Sequence, residues 1–273
     1  MKAKKEKVST YQIMLLFIMI TLSPAIRLFP TLTVKEAKQA AWLTPAVSAA
    51  AMIVLVLIVQ SFFINPDNLN LSDIYMKVLG RIPGWIIIFV HLIYIVFLTG
   101  LYVRYYAERI TSSIMPETRL EFFIFVMMCL VFYVLRGGLV PFVRTVEFLY
   151  YVFVLVLLVT GLLTLPSVEL TNFLPISYLD IIPVLESTHV ILSIWSYFIF
   201  IFFFADKVND REHIKKLGTR AVIGAMVLAT WIIFATLGVL GQSLTARTSL
   251  PYLLSVKQIS VLGMLERLES VTV

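Results

Sequence analysis

Charge is what this chain has least of. Only 14% of its 273 residues are Asp, Glu, Lys or Arg, while 60% are hydrophobic and the mean hydropathy is +0.96. So few charges cannot cover a soluble domain of this length, and the composition indicates a polytopic membrane protein. Cysteine is nearly absent. Cys129 stands alone inside a hydrophobic run, so no internal disulfide forms and nothing depends on an oxidising compartment. Enzyme signatures are missing too: the sequence has no His-Glu-x-x-His, no Gly-x-Ser-x-Gly, no Gly-Lys-Ser or Gly-Lys-Thr phosphate loop and no Cys/His cluster spaced for a metal. His91, His189 and His213 lie far apart. No catalytic residue, metal or cofactor is therefore expected. The net charge of +6 sits in short patches between apolar runs, as in the loops of membrane proteins, which argues against a nucleic-acid partner.

What is present is a series of hydrophobic runs. The first, Tyr11 to Pro30, is long enough to span a bilayer and is interrupted by Ser23-Pro24. No small-residue cleavage site follows it, so it reads as a retained span and not as a signal peptide. Pro24 brings no N–H and crowds the preceding turn, which would free backbone between Thr21 and Ala25 to hold a charged solute at a half-helix N-terminus. An ordinary proline kink accounts for the same residues.

Span two covers Ala40 to Ile64 and is stopped by Asn65-Pro66-Asp67. Residues 69–80 place Leu71, Ile74, Tyr75, Val78 and Leu79 on one face, with Gly80 to end the helix. Too short to cross, this helix is expected at the membrane surface. Span three runs from about Gly84 to Tyr106, with Trp85 and Tyr102, Tyr105 and Tyr106 as aromatic belts. Span four is Leu120 to Leu135, span five about Pro141 to Leu165, span six Val184 to Ala205 and span seven Ala221 to Gly241. Pro251 starts an eighth helix that stops before it has crossed, as a fragment or truncated copy would. With the N-terminus inside, thirteen Lys and Arg residues fall on the cytoplasmic side against seven opposite, and the densest cluster, Lys207 to Arg220, is cytoplasmic.

Ionisable or polar groups within spans are costly and mark candidate sites. In span five, Arg144 and Glu147 share a face, either as a buried charge pair or as a snorkelling arginine with a neutralising neighbour. In span six, Glu186, His189, Ser193 and then Ser196 or Tyr197 recur at helical spacing, a stripe that either lines a cavity or cements helix packing. Span three offers His91 and Tyr94 on one polar line, and His91 reads more simply as an interhelical donor than as a proton relay.

Several stretches together resemble the B subunit of bacterial spore germinant receptors, the GerAB-like family within the amino acid/polyamine/organocation transporter superfamily. They are Leu71-Ser72-Asp73-Ile74 with Leu79-Gly80-Arg81, Arg136-Gly137-Gly138 through Arg144-Thr145-Val146-Glu147, Asn172-Phe173-Leu174-Pro175 with Ile182-Pro183-Val184-Leu185, and Glu266-Arg267-Leu268-Glu269. The resemblance implies an all-α inverted-repeat bundle of about ten spans with an amino-acid-sized site where spans one and six unwind. On this chain that means a single transmembrane domain over residues 1–273, truncated after seven to eight spans. The first repeat would cover about 11–165 and an incomplete second one about 184–273. Span six has no Gly or Pro between Leu185 and Phe204, so its unwinding has no support beyond Ser193 and Ser196.

The ligand site implied is Thr21, Ser23, Pro24 and Ala25 with Tyr94, His189, Ser193, Ser196 and Tyr197, tuned by Arg144 and Glu147. The function implied is nutrient sensing in a spore inner membrane or cell membrane, beside A and C receptor subunits. A proton-coupled amino acid permease and an inert scaffold are the competing expectations.

Overall fold

The computed structural model describes residues 7–63, 70–113 and 115–258. Nine α-helices occur among them, with no β-strand beyond one isolated parallel bridge, Val8 with Val208. They are α1 (Thr10–Ala37), α2 (Thr44–Phe63), α3 (Leu71–Leu79), α4 (Arg81–Ser113), α5 (Leu120–Arg136), α6 (Leu139–Thr164), α7 (Ile181–Trp195), α8 (Ile214–Arg247) and α9 (Pro251–Lys257). Five stretches, 10–61, 81–112, 139–167, 178–200 and 211–247, are long and apolar enough to cross a membrane, and the first contains both α1 and α2. The 17 residues of α5 sit at the short end of the bilayer-spanning range. The chain is an all-α polytopic membrane bundle. The proposed stop at Asn65-Pro66-Asp67 and the Glu266 to Glu269 stretch lie outside the described residues.

The packed centre is made by α1, α2, α7 and α8: α1 and α2 each lie against both α7 and α8. Small side chains allow this approach. Ala221, Ala225 and Ala229 form a buried i, i+4 row on α8, and Gly218 sits so close to Val56 of α2 that a Cβ would come within 2.9 Å of it. Lipid is as apolar as leucine, so close backbone approach and polar contacts take over the role that water exclusion has in soluble cores. One such polar contact is buried between α2 and α7, where Thr44 and Ser187 hydroxyls are 2.7 Å apart. At one end the chain before α1 is clasped to the segment after span six. Val8 N–H donates to the Lys207 carbonyl (2.9 Å), and Thr10 N–H donates to Asp210 Oδ1 (2.6 Å).

The short helix α3 ends at Gly80, whose φ of 86° only glycine adopts freely, as its spacing predicts. It packs on α4. One expectation needs correction. Span one is not broken: α1 keeps helical geometry from Thr10 to Ala37 across both Pro24 and Pro30. Flanking α7 and α8 hold the helix in place, and the Thr21 hydroxyl donates back to the carbonyls of Phe17 (3.1 Å) and Ile18 (2.9 Å) in the turn ahead of the proline. Span six, by contrast, changes geometry at Ser196, one of the two serines that hinted at unwinding. It is α-helical to Trp195 and continues from Ser196 to Lys207 as a 3-10 helix. Runs of that tighter helix rarely exceed a turn or so.

Candidate functional site

Although α1 is continuous, a hollow lies beside its proline. A cavity of about 180 Å³ is bounded by Ser23, Pro24, Arg27 and Leu28 of α1 and by Leu98, Leu101, Tyr102, Tyr105, Tyr106 and Arg109 of α4. At about 30 Å³ per water it has room for about six, the bulk of a small amino acid. The α1 residues recur at i and i+4, and Tyr102, Tyr105, Tyr106 and Arg109 recur at i, i+3, i+4 and i+7, so each helix turns one polar stripe toward the space.

Within the site, the Tyr106 hydroxyl donates to Ser23 Oγ. The Arg27 guanidinium lies over the Tyr105 ring, 4.4 Å from its centroid, a cation–π contact that fixes the charge at the edge of the cavity. Arg109 is 8% exposed. The hydroxyls of Tyr102 and Tyr197 are 2.9 Å apart, which ties the cavity wall to the start of the 3-10 segment. Tyr197 in turn stacks on Phe200 with centroids 5.3 Å apart.

The residues expected from sequence divide into three groups. Ser23 and Pro24 line the cavity, and Tyr197 touches its wall. Thr21 and Ala25 are buried on another face of α1, against Trp195 and α8. The remainder are elsewhere. Tyr94 is exposed and meets His91 edge to face. His189, Ser193 and Ser196 are exposed along α7 and its extension. Ser193 donates to the Val190 carbonyl (2.8 Å) and Ser196 to the Ser193 carbonyl (2.6 Å), so both hydroxyls are satisfied within their own helix. His189 Nδ1 is 2.6 Å from the Glu186 carbonyl and 3.7 Å from Glu36 Oε2.

The Arg144–Glu147 pair does not form. Glu147 instead accepts from Gln12 Nε2 of α1 at 3.0 Å, while Arg144 is exposed. A neutral amide from the neighbouring helix reaches the carboxylate, so Glu147 anchors α1 to α6.

Sequence reasoning missed Arg27, Arg109 and the three tyrosines as a site. It read the arginines as loop charges and the tyrosines as an interfacial belt. The shared spacing of Tyr102, Tyr105, Tyr106 and Arg109 on α4 was the available signal.

Five stretches able to span a bilayer, packed about a common centre, define a polytopic membrane protein. A sequence model of the spore germination protein family matches residues 7–273, and the chain belongs to that family. It is 22% identical over 271 residues to spore germination protein KB of Bacillus subtilis (strain 168), covering 97% of this chain and 72% of that protein. It is also 22% identical over 266 residues to the putative spore germination protein YfkT of the same strain, covering 96% of this chain and 72% of that protein. No solved structure matches it significantly.

Proposed function

We propose that the chain is the ligand-binding membrane subunit of a spore nutrient-germinant receptor, and that a small nutrient of amino-acid size engages the cavity between α1 and α4. The observation that carries this is the cavity itself: a largely apolar space of solute size with two arginines and several hydroxyls at its wall, beside Ser23 and Pro24, in a member of a germination family. Binding there touches α1 of the packed centre and α4 outside it, so it biases how the two sit relative to each other. Its signal can be no larger than its difference in affinity between the two arrangements.

The packing of α1 and α2 against α7 and α8 supports two repeats, about 11–165 and 184–273, whose opening helices meet at the centre. The distribution of Lys and Arg supports an N-terminus in the cytoplasm, with the protein in a spore inner membrane or cell membrane. Receptor A and C subunits are the partners in this reading, and the role is recognition without catalysis.

Reconstitution separates a receptor from a permease. Labelled amino acids should bind to proteoliposomes carrying the chain without accumulating inside them; saturable uptake would overturn the receptor reading.

A further inference from the structure

Positive charge gathers at one end of the bundle, where the chain before α1 is clasped to the segment that leads into α8. Along this clasp exposed lysines adjoin buried aliphatic residues: Lys7 precedes Val8, Lys207 precedes Val208, and Lys215 follows Ile214. Val8 N–H donates to the Lys207 carbonyl (2.9 Å), and Asn209 N–H donates to the Val8 carbonyl (3.1 Å). The anchored backbone holds the lysines outward, so little freedom is left to lose when they meet a partner. Lys216 and Arg220 are exposed an i, i+4 step apart on the first turns of α8. Among the described residues 7–8 and 206–220, six are basic and three are acidic. Of the acids, Asp210 already accepts from Thr10 N–H, and Glu212 lies 4.0 Å from His213.

Three membrane-spanning stretches begin or end here. Stretch 10–61 begins at Thr10, 178–200 runs on as the 3-10 helix to Lys207, and 211–247 begins at Arg211. At 1.5 Å per residue the 37 residues of the last stretch reach about 55 Å, against a hydrocarbon core of about 30 Å. Its apolar run starts at Ala221, so Lys215, Lys216 and Arg220 stand at the level of the headgroups. A soluble partner would have to come to them, whereas phospholipid is already there.

We propose that this clasp is a docking surface for anionic phospholipid, whose phosphate groups are held by Lys7, Lys207, Lys215, Lys216 and Arg220. Each basic side chain close to an anionic surface strengthens association roughly fivefold. Headgroups bound here tie the start of α1, the end of the 3-10 segment and the start of α8 to one leaflet. The surface is separate from the α1–α4 cavity.

The test offers the full chain, in neutral detergent, equal amounts of phosphatidylglycerol and phosphatidylcholine with the same acyl chains, and counts the lipids retained by native mass spectrometry. Phosphatidylglycerol should be retained over phosphatidylcholine by at least about fivefold. Lys207→Gln/Lys215→Gln should bring the ratio close to one. Lys35→Gln/Arg247→Gln, which removes as much charge from the opposite ends of α1 and α8, should leave it within about twofold of the natural chain. All four side chains are exposed, and helical circular dichroism checks that each variant folds. Should the first fail to fold, Lys216→Gln/Arg220→Gln carries the same expectation.

Equal retention of the two lipids by the natural chain would overturn the surface, as would selection that survives in the clasp variant or falls as far in the Lys35→Gln/Arg247→Gln protein. Glycerol phosphate or oligoglutamate displacing phosphatidylglycerol at equal concentration would overturn the lipid and assign the lysines to a soluble phosphate or an acidic protein.

Discussion

The helices α8 and α4 are of similar length and similar hydropathy, yet they live in opposite surroundings. In α8, 56% of the most apolar stretch is buried against other helices; in α4, none of it is. Part of the difference lies in side-chain size, although Ile232, Ile233 and Leu237 of α8 are buried as well. Along its buried face α8 presents Gly218, Ala221, Ala225, Ala229 and Ala235, which let α1 and α2 approach closely. The same length of α4 is filled by Ile86, Phe89, Val90, Leu92, Ile93, Val96 and Phe97, all more than half exposed. Bulky aliphatic groups gain nothing by leaving lipid, whereas small ones gain contact between backbones. The contacts joining α4 to the centre include the hydrogen bonds of Tyr106 to Ser23 and Tyr102 to Tyr197, the Arg27–Tyr105 cation–π contact and the His91–Phe203 ring contact. The cavity opens along this sparsely packed seam.

Substitutions in the packed centre should therefore cost far more than equal truncations on the arm of α4 and α5. Trp195 is 1% exposed and packs against α1 and α8. Trp195→Ala should destabilise by about 3–5 kcal/mol and empty the folded fraction in a thermal melt of solubilised protein. Gly161 of α6 faces the Trp231 indole so closely that a Cβ would lie 2.1 Å from Nε1. Gly161→Ala should cost about 1–3 kcal/mol by overpacking, read in the same melt. The effect should be smaller at the clasp before α1. Asp210→Ala removes the acceptor of Thr10 N–H and should cost about 1 kcal/mol, with faster exchange of that amide as a local readout. Phe125 of α5 is 68% exposed, and Phe125→Ala should stay within about 0.5 kcal/mol. A cost at Phe125 matching that at Trp195 would abolish the distinction between centre and arm.

The hydrophobic runs and their borders could be read from sequence because membrane spans demand about 20 apolar residues and loops demand charge. Gly80 as a helix end followed from the periodicity of residues 69–80. The unbroken α1 could not be read that way. Whether a helix survives a proline depends on its neighbours, here α7 and α8, and a chain read locally does not reveal them. Polar stripes have the same weakness. Glu186, His189, Ser193 and Ser196 share a face as their spacing required, but that face is exposed, and periodicity says which residues lie together without saying what they meet. Glu147 was matched to Arg144 on its own helix, and Gln12 from 135 positions away proved to be its partner.

The most direct test of where a solute engages compares the two polar stripes by thiol protection. Cys129 is the chain's own cysteine, so Leu101→Cys and Ser193→Cys are each made in a Cys129→Ser background and treated with a small hydrophilic thiol reagent. Saturating L-aspartate should slow labelling of Leu101→Cys several-fold and leave Ser193→Cys unchanged. Protection at Ser193→Cys with none at Leu101→Cys would contradict the account, moving the site to the exposed face of α7.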